Sequence, residues 1–472
     1  MKHTGVLMPV ASLPSPFFIG DFGPEAYRFA DMIREAGYDI WQILPLNPLG
    51  YGYSPYQCLS SKALDESYIS PEILKNEGLI RTVPEKVRVS TIDYQAAKQL
   101  KRKLLVEAFI NFIPDRQYRR FTAQKWVIDY AIFITFKEYN ENRCWVEWPD
   151  EYKNFPQNRN IQLLRKHEEI IELHKFIQYQ LYHQFALLKK YLKKKRITVM
   201  GDMPFYVGID SDDVYYNRQY FELYPDGRPH WIAGVPPDYF SATGQRWGNP
   251  LYDWKELRKH DYDFWFDRIH YSENLYDILR IDHFRAFDTY WKIDSKEETA
   301  INGEWIVNSG KDFFTKFFKK YPNSNIVAED LGDLRPEVLE LRDHFHLPGM
   351  RILEFNMYGE SKEHELAYVG THDNESLRTW YRSLNRNEKK VLDKFIRNKY
   401  PESDVLNGIL KYAFNLKSNY IILSVVDILL DARRINLPGS VGSPNWEYKL
   451  KDFRALSRRL KTVNKKRMRD KK

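Results

Sequence analysis

The chain has 472 residues, of which 43% are apolar, and its formal net charge at pH 7 is +8. This composition excludes collagen-like, coiled-coil and disordered proteins and supplies enough apolar residues for a large buried core. Much of the basic excess lies in two segments, 189–196 and 458–472, which are typical of a solvated helix end and a frayed terminus, so we expect no nucleic-acid partner.

Other features of the sequence favour a soluble cytoplasmic protein. The first residues lead directly into a strand-like run without the apolar core of a signal peptide, and no apolar stretch is long enough to span a bilayer. The two cysteines, Cys58 and Cys144, lie far apart and match no metal-binding spacing, which indicates reduced thiols and a reducing compartment.

Eight short apolar runs rich in β-branched residues recur along the chain, and amphipathic helical stretches separate most of them. Strands that alternate with helices predict a parallel sheet, and eight such strands favour a (β/α)8 TIM barrel over a sandwich. The predicted strands are residues 6–12, 39–45, 197–204, 277–283, 325–329, 350–355, 368–371 and 420–426.

Helix signals lie between these runs. Pro24 follows Gly23 and predicts a helix start, and Gly37 follows the last turn of that helix. Pro336 predicts a second helix start in the same way. Between residues 176 and 192 the apolar residues fall on one face of a helix, which predicts packing against the barrel.

We interpret residues 1–472 as a single catalytic barrel with two insertions on its C-terminal rim. Residues 51–195 contain a helical insertion between the second and third strands. Residues 206–276 are rich in Tyr, Trp, Pro and Gly, and they predict an ordered loop subdomain between the third and fourth strands. Long rim loops in a compact enzyme are usually functional.

Three acidic motifs follow predicted strands, and in a parallel barrel the ends of the strands converge on one rim. The first motif, Arg-Ile-Asp-His-Phe-Arg at residues 280–285, places Asp282 between Arg280 and Arg285. We expect these cations to keep the pKa of the carboxyl group low, as a nucleophile requires. The alternative is a purely structural ion pair between Asp282 and an arginine.

The second motif, Val-Ala-Glu-Asp-Leu-Gly at residues 327–332, contains Glu329 beside Asp330. Burial and a neighbouring negative charge raise the pKa of a carboxyl group, which suits a general acid at neutral pH. Alternatively, the Glu329 side chain caps the following helix. Strand alternation decides which of the two carboxyl groups points inward, and composition leaves that choice open.

The third motif, Gly-Thr-His-Asp-Asn at residues 370–374, ends the seventh predicted strand. Asp373 would accept hydrogen bonds from sugar hydroxyl groups, with His372 as a neighbouring donor, and so hold a distorted sugar ring. This motif is weak when taken singly. The three motifs together, in order on barrel strands, predict a site where two carboxyl groups cleave a glycosidic bond.

Two further segments carry unusual composition. Asp202, Asp210 and Asp213 form an acidic cluster after the third strand, but the cluster lacks an EF-hand pattern, and we expect neither a metal site nor a cofactor. The loop 234–250 concentrates prolines, glycines, aromatic residues and amides. It predicts a stiff surface for a glucan chain, and the alternative is a well-packed connector.

The motifs resemble those of the 4-α-glucanotransferases, also called amylomaltases or disproportionating enzymes, within the α-amylase clan. The resemblance covers nearly the whole chain, from Ser-Leu-Pro-Ser-Pro at residues 12–16 to Asn-Leu-Pro-Gly at 436–439, and it includes Ser-Pro-Tyr-Gln at 54–57. The segment 236–250 is the most specific part, because general α-amylases lack it.

The resemblance implies a role for individual residues. It implies that Asp282 is the nucleophile, that Glu329 is the acid/base and that Asp373 stabilises the transition state. The residues that it implies contact the sugar chain are Arg280, His372, Asp238, Gln245, Trp247, Ser54 and Tyr56.

The implied activity is a retaining double displacement that transfers segments of maltooligosaccharides and other α-1,4-glucans to the 4-hydroxyl of an acceptor glucan or glucose. We expect a monomer or a weak homo-oligomer. The first alternative is an α-glucan hydrolase, in which water attacks the same intermediate. The second is a non-catalytic glucan-binding protein that keeps the fold. The loop 236–250 favours transfer, since transfer needs loops that exclude water and bind an acceptor.

Overall fold

The structure is a computed structural model that describes residues 2–237 and 241–468, and residues 464–468 are described by their backbone only. Among the described residues the strands, in chain order, are β1 (His3–Leu7), β2 (Ile40–Gln42), β3 (Thr198–Met203), β4 (Trp231–Val235), β5 (Gln245–Pro250), β6 (Ile278–Ile281), β7 (Thr289–Asp294), β8 (Gly303–Val307), β9 (Ile326–Ala328), β10 (Gly349–Ile352), β11 (Glu365–Tyr368) and β12 (Tyr420–Ser424). The α-helices are α1 (Pro24–Glu35), α2 (Pro71–Asn76), α3 (Tyr94–Asn111), α4 (Arg116–Thr122), α5 (Lys125–Tyr139), α6 (Asp150–Lys153), α7 (Phe155–Asn158), α8 (Ile161–Lys166), α9 (Glu168–Lys194), α10 (Asp212–Tyr216), α11 (Trp254–Lys259), α12 (Asp263–Leu275), α13 (Gly310–Lys320), α14 (Pro336–His344), α15 (Leu377–Ser383), α16 (Arg386–Lys399), α17 (Val405–Phe414), α18 (Val425–Leu429) and α19 (Arg454–Met468).

Eight of the strands form one parallel sheet in the order β10-β11-β12-β1-β2-β3-β6-β9. The two outermost strands, β9 and β10, meet and close the sheet. Ala328 at the end of β9 donates its N–H to the carbonyl of Pro348 just before β10 (2.9 Å). At Gly5 a side chain would lie 2.8 Å from the Cβ atom of Ile40, so only glycine allows β1 to approach β2 this closely. Helices cover the sheet from outside, and the predicted (β/α)8 barrel is confirmed.

All eight predicted barrel strands exist, but the first and seventh begin earlier than expected. β1 pairs with β12 from His3 onward, and Met8 still donates to the carbonyl of Gln42 (2.9 Å). Pro9 then has no N–H to continue the ladder, so Val10–Ser12 forms a 3₁₀ turn instead of strand. β11 likewise ends at Tyr368, and the predicted strand end at 370–371 belongs to a turn.

Residues 51–195 supply helices α2 to α8 and the long return helix α9. The apolar stripe predicted at 176–192 lies on α9, where Phe176, Leu181 and Leu188 are buried. Helices α1 and α14 begin at the prolines that predicted them. Nowhere in the described ranges does a helix combine the length and the apolar composition needed to cross a membrane.

A second sheet stands over the rim of the barrel. Residues 206–276 contribute β4, β5 and helices α10 to α12, and the antiparallel sheet β5-β4-β7-β8 takes its other two strands from beyond β6. Two strands of this sheet therefore precede β6 in the chain, and the other two follow β6 and the Asp282 motif after it. Residues 238–240 of this region lie outside the described residues.

Candidate active site

Asp282 and Glu329 follow neighbouring strands of the barrel, β6 and β9. The N–H of Glu329 donates to the carbonyl of Ile281 (3.0 Å), and the N–H of Phe284 donates to the carbonyl of Glu329 (3.0 Å). These backbone bonds continue the β6–β9 ladder past the strand ends. The two acidic motifs are therefore brought side by side on the C-terminal rim, as their positions in the sequence predicted.

Arg280, near the end of β6, lies between two carboxyl groups. Its Nη1 atom is 2.9 Å from Oδ1 of Asp282 and 2.7 Å from Oδ1 of Asp202, which belongs to β3. Arg280 and Asp202 are buried, whereas 28% of the Asp282 side chain is exposed, so an incoming molecule can reach that carboxyl group.

Burial raises the pKa of Asp282 to about 6, and the charges of Asp202 and Asp373 add to the rise while Arg280 opposes it. The expectation of a lowered pKa was wrong, because burial outweighs Arg280, which is shared with Asp202, and because the third motif adds its own negative charge. The carboxyl group is still mainly ionised at pH 7.

Glu329, and not Asp330, points into the site. The carboxyl of Glu329 accepts the N–H of His283 (2.8 Å) and the N–H of Leu331 (3.2 Å). Asp330 turns away, where it pairs with Arg342 and accepts the N–H of Met350 (2.6 Å). Burial, and then the charge of Asp282, raises the pKa of Glu329 to about 8, so this group holds a proton at neutral pH.

Asp373 lies in the turn after β11 and is held by two donors. The amide of Asn436 donates to its Oδ1 atom (2.7 Å), and Nε2 of His372 is 3.3 Å from its Oδ2 atom. Burial acts to raise the pKa of Asp373, but His372 and the Asn436 amide outweigh it and lower the pKa to about 2. Asp373 is consequently ionised at neutral pH.

Tyr56 links the two sides of the site. Its hydroxyl donates to Oδ2 of Asp202 (2.8 Å) and lies 2.9 Å from Nε2 of His372, and its ring stacks on the imidazole at 5.4 Å. The hydroxyl of Ser54 accepts the N–H of Tyr56 (3.3 Å), so Ser54 holds the loop that presents the tyrosine. Tyr56 therefore connects Arg280, through Asp202, to the Asp373 turn.

Strand β5 supplies a wall beside the Asp282 motif. The indole of Trp247 meets the ring of His283 edge to face at 4.8 Å, and its N–H donates to the side chain of Gln245 (3.2 Å). Burial lowers the pKa of His283 to about 3, so the wall carries no charge there. Gln245 lies against the backbone at Gly439, and Asp238 lies outside the described residues.

Two residues of this site, Asp202 and Asn436, were assigned no role from the sequence. Asp202 was grouped with Asp210 and Asp213 as an acidic cluster, but the fold separates them, since Asp210 pairs with Lys137 and Asp202 pairs with Arg280. Its place at the end of a barrel strand was the signal that could have identified it. Asn436 lay in a quoted motif without a role. Over residues 2–237 and 241–468, no group of three His, Cys, Asp or Glu residues is placed to hold a metal ion.

Comparison with known proteins places this geometry in a family. The family model described as 4-alpha-glucanotransferase matches residues 8–456. The chain belongs to this family. The 4-alpha-glucanotransferase of Aquifex aeolicus is 36% identical over 467 residues, covering 96% of each chain, and that of Streptococcus pneumoniae is 35% identical over 472 residues, covering 95% of this chain and 93% of the relative.

Solved structures agree with the assignment. An amylomaltase from Streptococcus agalactiae, determined in complex with acarbose, superposes with a TM-score of 0.92 at 34% identity and covers 98% of both chains. An amylomaltase from Corynebacterium glutamicum gives a TM-score of 0.77 at 16% identity, covering 98% of this chain and 75% of that one, which supports the fold alone. The resemblance inferred from the sequence is confirmed, and it favours glucan transfer over hydrolysis.

Proposed function

We propose that this 4-α-glucanotransferase family member transfers segments of maltooligosaccharides and other α-1,4-glucans to the 4-hydroxyl of an acceptor glucan or glucose, with retention at the anomeric carbon. Residues 1–472 act as one catalytic unit. Asp282 is the nucleophile, Glu329 is the acid/base and Asp373 stabilises the transition state. The acarbose bound to the Streptococcus agalactiae amylomaltase supports an α-glucan site in this fold.

The reaction proceeds in two displacements. Asp282 attacks the anomeric carbon while Glu329 gives its proton to the leaving 4-oxygen, so the glycosidic bond breaks and a β-linked glucosyl-aspartate forms. The leaving glucan departs with that proton. Glu329, now ionised, takes the proton of an acceptor 4-hydroxyl, whose oxygen attacks the anomeric carbon and releases Asp282. An α-1,4 bond is restored without any cofactor.

The observation that carries the proposal is the contrast between two neighbouring carboxyl groups. Asp282 and Glu329 follow adjacent strands. Burial, with the charges of Asp202 and Asp373, holds the pKa of Asp282 near 6, whereas burial, with the charge of Asp282, holds the pKa of Glu329 near 8. At pH 7 one is an anion and the other an acid, which is the pairing that a retaining enzyme needs. Retention also requires the two carboxyl groups to stand roughly 5–5.5 Å apart.

The substrate contacts surround this pair. Arg280 and His372 supply donors beside the scissile bond, and Tyr56 and Ser54 belong to the loop on the same rim. On the other side, Trp247 and Gln245 form a wall beside Asp282 that we assign, with Asp238, to the acceptor glucan. A wall that excludes water from the glucosyl-enzyme would favour a sugar acceptor over hydrolysis.

We further infer a cytoplasmic enzyme that acts as a monomer or a weak homo-oligomer without a nucleic-acid partner. Both cysteines are free, Cys58 buried and Cys144 half-buried, which agrees with a reducing compartment.

Incubation with maltotriose tests the proposal. Transfer yields maltooligosaccharides longer than the substrate together with glucose, whereas shorter sugars alone would identify a hydrolase. Asp282→Asn should abolish turnover and leave maltotriose binding within a few-fold, because the amide keeps the size of the side chain. Wild-type activity in that variant would remove Asp282 from its role, and binding without turnover in the wild type would indicate a glucan-binding protein.

A further inference from the structure

Two carboxyl groups that take no part in the proposed reaction flank the turn that carries His372 and Asp373. Glu354 follows β10, and Asp427 lies in α18 directly after β12. In the barrel β10 and β12 are the neighbours of β11 on its two sides. The pair therefore reaches the turn after β11 from both flanks.

Asp427 lies at the end of that turn. Its Oδ1 atom accepts the N–H of Leu377, the first residue of α15 (2.7 Å), and the carboxyl group also lies near the backbone N–H of Gly370. The side chain is 1% exposed, so the bond to Leu377 is shielded from water. Residue 377, where the turn ends, is thus tied to a buried carboxyl group that lies near residue 370, where the turn begins.

Glu354 lies against the start of the turn. Its N–H donates to the carbonyl of Val369 (3.2 Å), and a Cβ atom at Gly370 would lie 3.0 Å from its Oε1 atom, so the glycine leaves room for this approach. The carboxyl group also lies near the amide of Asn374, whose Oδ1 atom accepts the N–H (2.9 Å) and the hydroxyl (2.8 Å) of Thr371. Glu354 and Asp427 therefore flank the segment that carries Asp373.

The charges of the pair are not balanced by cations. Within the described residues neither carboxyl forms an ion pair, and each keeps one buried oxygen, Oε1 of Glu354 and Oδ2 of Asp427, without a hydrogen-bond partner. Arg434, whose charge acts on Glu354, gives its donors to the carbonyls of Asp373 (2.6 Å) and Asn436 (3.0 Å). A buried anion at Asp427 and a half-buried anion at Glu354 would be costly in this setting unless they retain one proton between them.

The titration of the groups agrees with one retained proton. Burial, and then the charges of Asp427 and Glu375, raises the pKa of Glu354 to about 10, against a small opposing effect of Arg434 and the Asn374 amide. Burial raises the pKa of Asp427 to about 7, although the N–H groups of Leu377 and Gly370 oppose it. Glu354 is therefore the protonated member at neutral pH.

We propose that Glu354 and Asp427 are positioning residues for the reaction proposed above: they hold the 370–377 turn so that Asp373 and His372 meet the sugar in the productive geometry. The inference rests on the proposed function and adds two residues to it. Neither carboxyl touches the substrate, and each acts through the turn. A displacement of about 1 Å at such a site is enough to cost a large factor in rate.

Paired substitutions test the proposal. Asp427→Ala removes the acceptor of the Leu377 N–H, whereas Asp427→Asn keeps one oxygen to accept it, and Glu354→Gln keeps a donor of similar shape. With an activated maltosyl fluoride donor, total donor cleavage gives kcat and KM. We expect Asp427→Ala to lower kcat roughly 10- to 100-fold while KM changes less than about threefold. Asp427→Asn and Glu354→Gln should each stay within about threefold of wild type.

A second comparison separates positioning from a general loss of structure. If Asp427 acts through Asp373, then adding Asp427→Ala to Asp373→Asn should lower the remaining rate by less than about threefold, since the group being positioned is already disabled. Should Asp427→Ala fail to fold, Glu354→Ala against Glu354→Gln takes its place in both comparisons.

The proposal is overturned by wild-type kcat in Asp427→Ala, by losses that multiply with Asp373→Asn, or by an Asp427→Asn variant as slow as the alanine variant. Loss of a cooperative thermal transition in both alanine variants would likewise assign the pair to folding and not to positioning. A wild-type enzyme that only shortens maltotriose contradicts transfer but leaves these comparisons valid, because they measure donor cleavage to any acceptor.

Discussion

The pH dependence of the reaction follows from the two carboxyl groups of the site. We expect kcat/KM for maltotriose to form a bell with limbs near pH 6 and pH 8. Activity rises as Asp282, whose pKa burial raises to about 6, loses its proton and becomes a nucleophile. Activity falls as Glu329, whose pKa burial and the Asp282 charge raise to about 8, loses the proton that it must donate.

The size of the effect can be worked from these values. At pH 7 each group lies about one pH unit on its productive side, so roughly 80% of the enzyme carries both in the required form. Asp330 adds its charge to the rise at Glu329. Asp330→Asn should therefore lower the alkaline limb by less than about one pH unit, or about 1.4 kcal/mol, and leave the acidic limb in place.

The matched control is Asp343→Asn. Asp343 also pairs with Arg342, but its side chain is 62% exposed, so solvent screens its charge and neither limb should move. Initial rates from pH 4 to pH 10, at maltotriose concentrations well below KM, give both limbs for the three proteins. An acidic limb below about pH 4.5, a missing alkaline limb, or an Asp330→Asn variant that shifts the acidic limb would refute the assignment of the two groups.

Two further predictions concern stability. Lys101 and Asp21 form an ion pair with side chains 0% and 1% exposed. Lys101→Met leaves the buried carboxylate without its cation and should lower the free energy of unfolding by about 3 kcal/mol in urea titrations. Lys417→Met, in a pair exposed to solvent, should leave it almost unchanged, and equal losses in the two variants would contradict the burial argument. Burial lowers the pKa of Lys449 to about 7, and because the unfolded chain keeps that proton to about pH 10, the free energy of unfolding should rise between these values. Lys449→Met should flatten this rise, and an unchanged slope would assign it to other groups.

Local sequence patterns predicted the barrel and the rim because both depend on properties that neighbouring residues share. Short β-branched runs between amphipathic helices define buried parallel strands, and all eight runs are strands in the structure. A carboxyl group that follows such a run must then lie at the C-terminal rim. Asp282, Glu329 and Asp373 were placed in this way without any tertiary information.

The electrostatic state of those groups depended on residues distant in the chain. Burial raises the pKa of Asp282, and Asp202, which is 78 residues from Arg280, adds to the rise because it shares that arginine. Asn436 reaches Asp373 across 63 residues, and the inward orientation of Glu329 follows from its backbone bonds to β6. Periodicity reports which side of a strand is buried, whereas burial, charge and hydrogen bonds at a point in space are set by every element that packs there. The sequence by itself therefore determined the strands and the rim positions of the three carboxyl groups, and only the tertiary structure decided their protonation, their partners and the two carboxyl groups that flank the Asp373 turn.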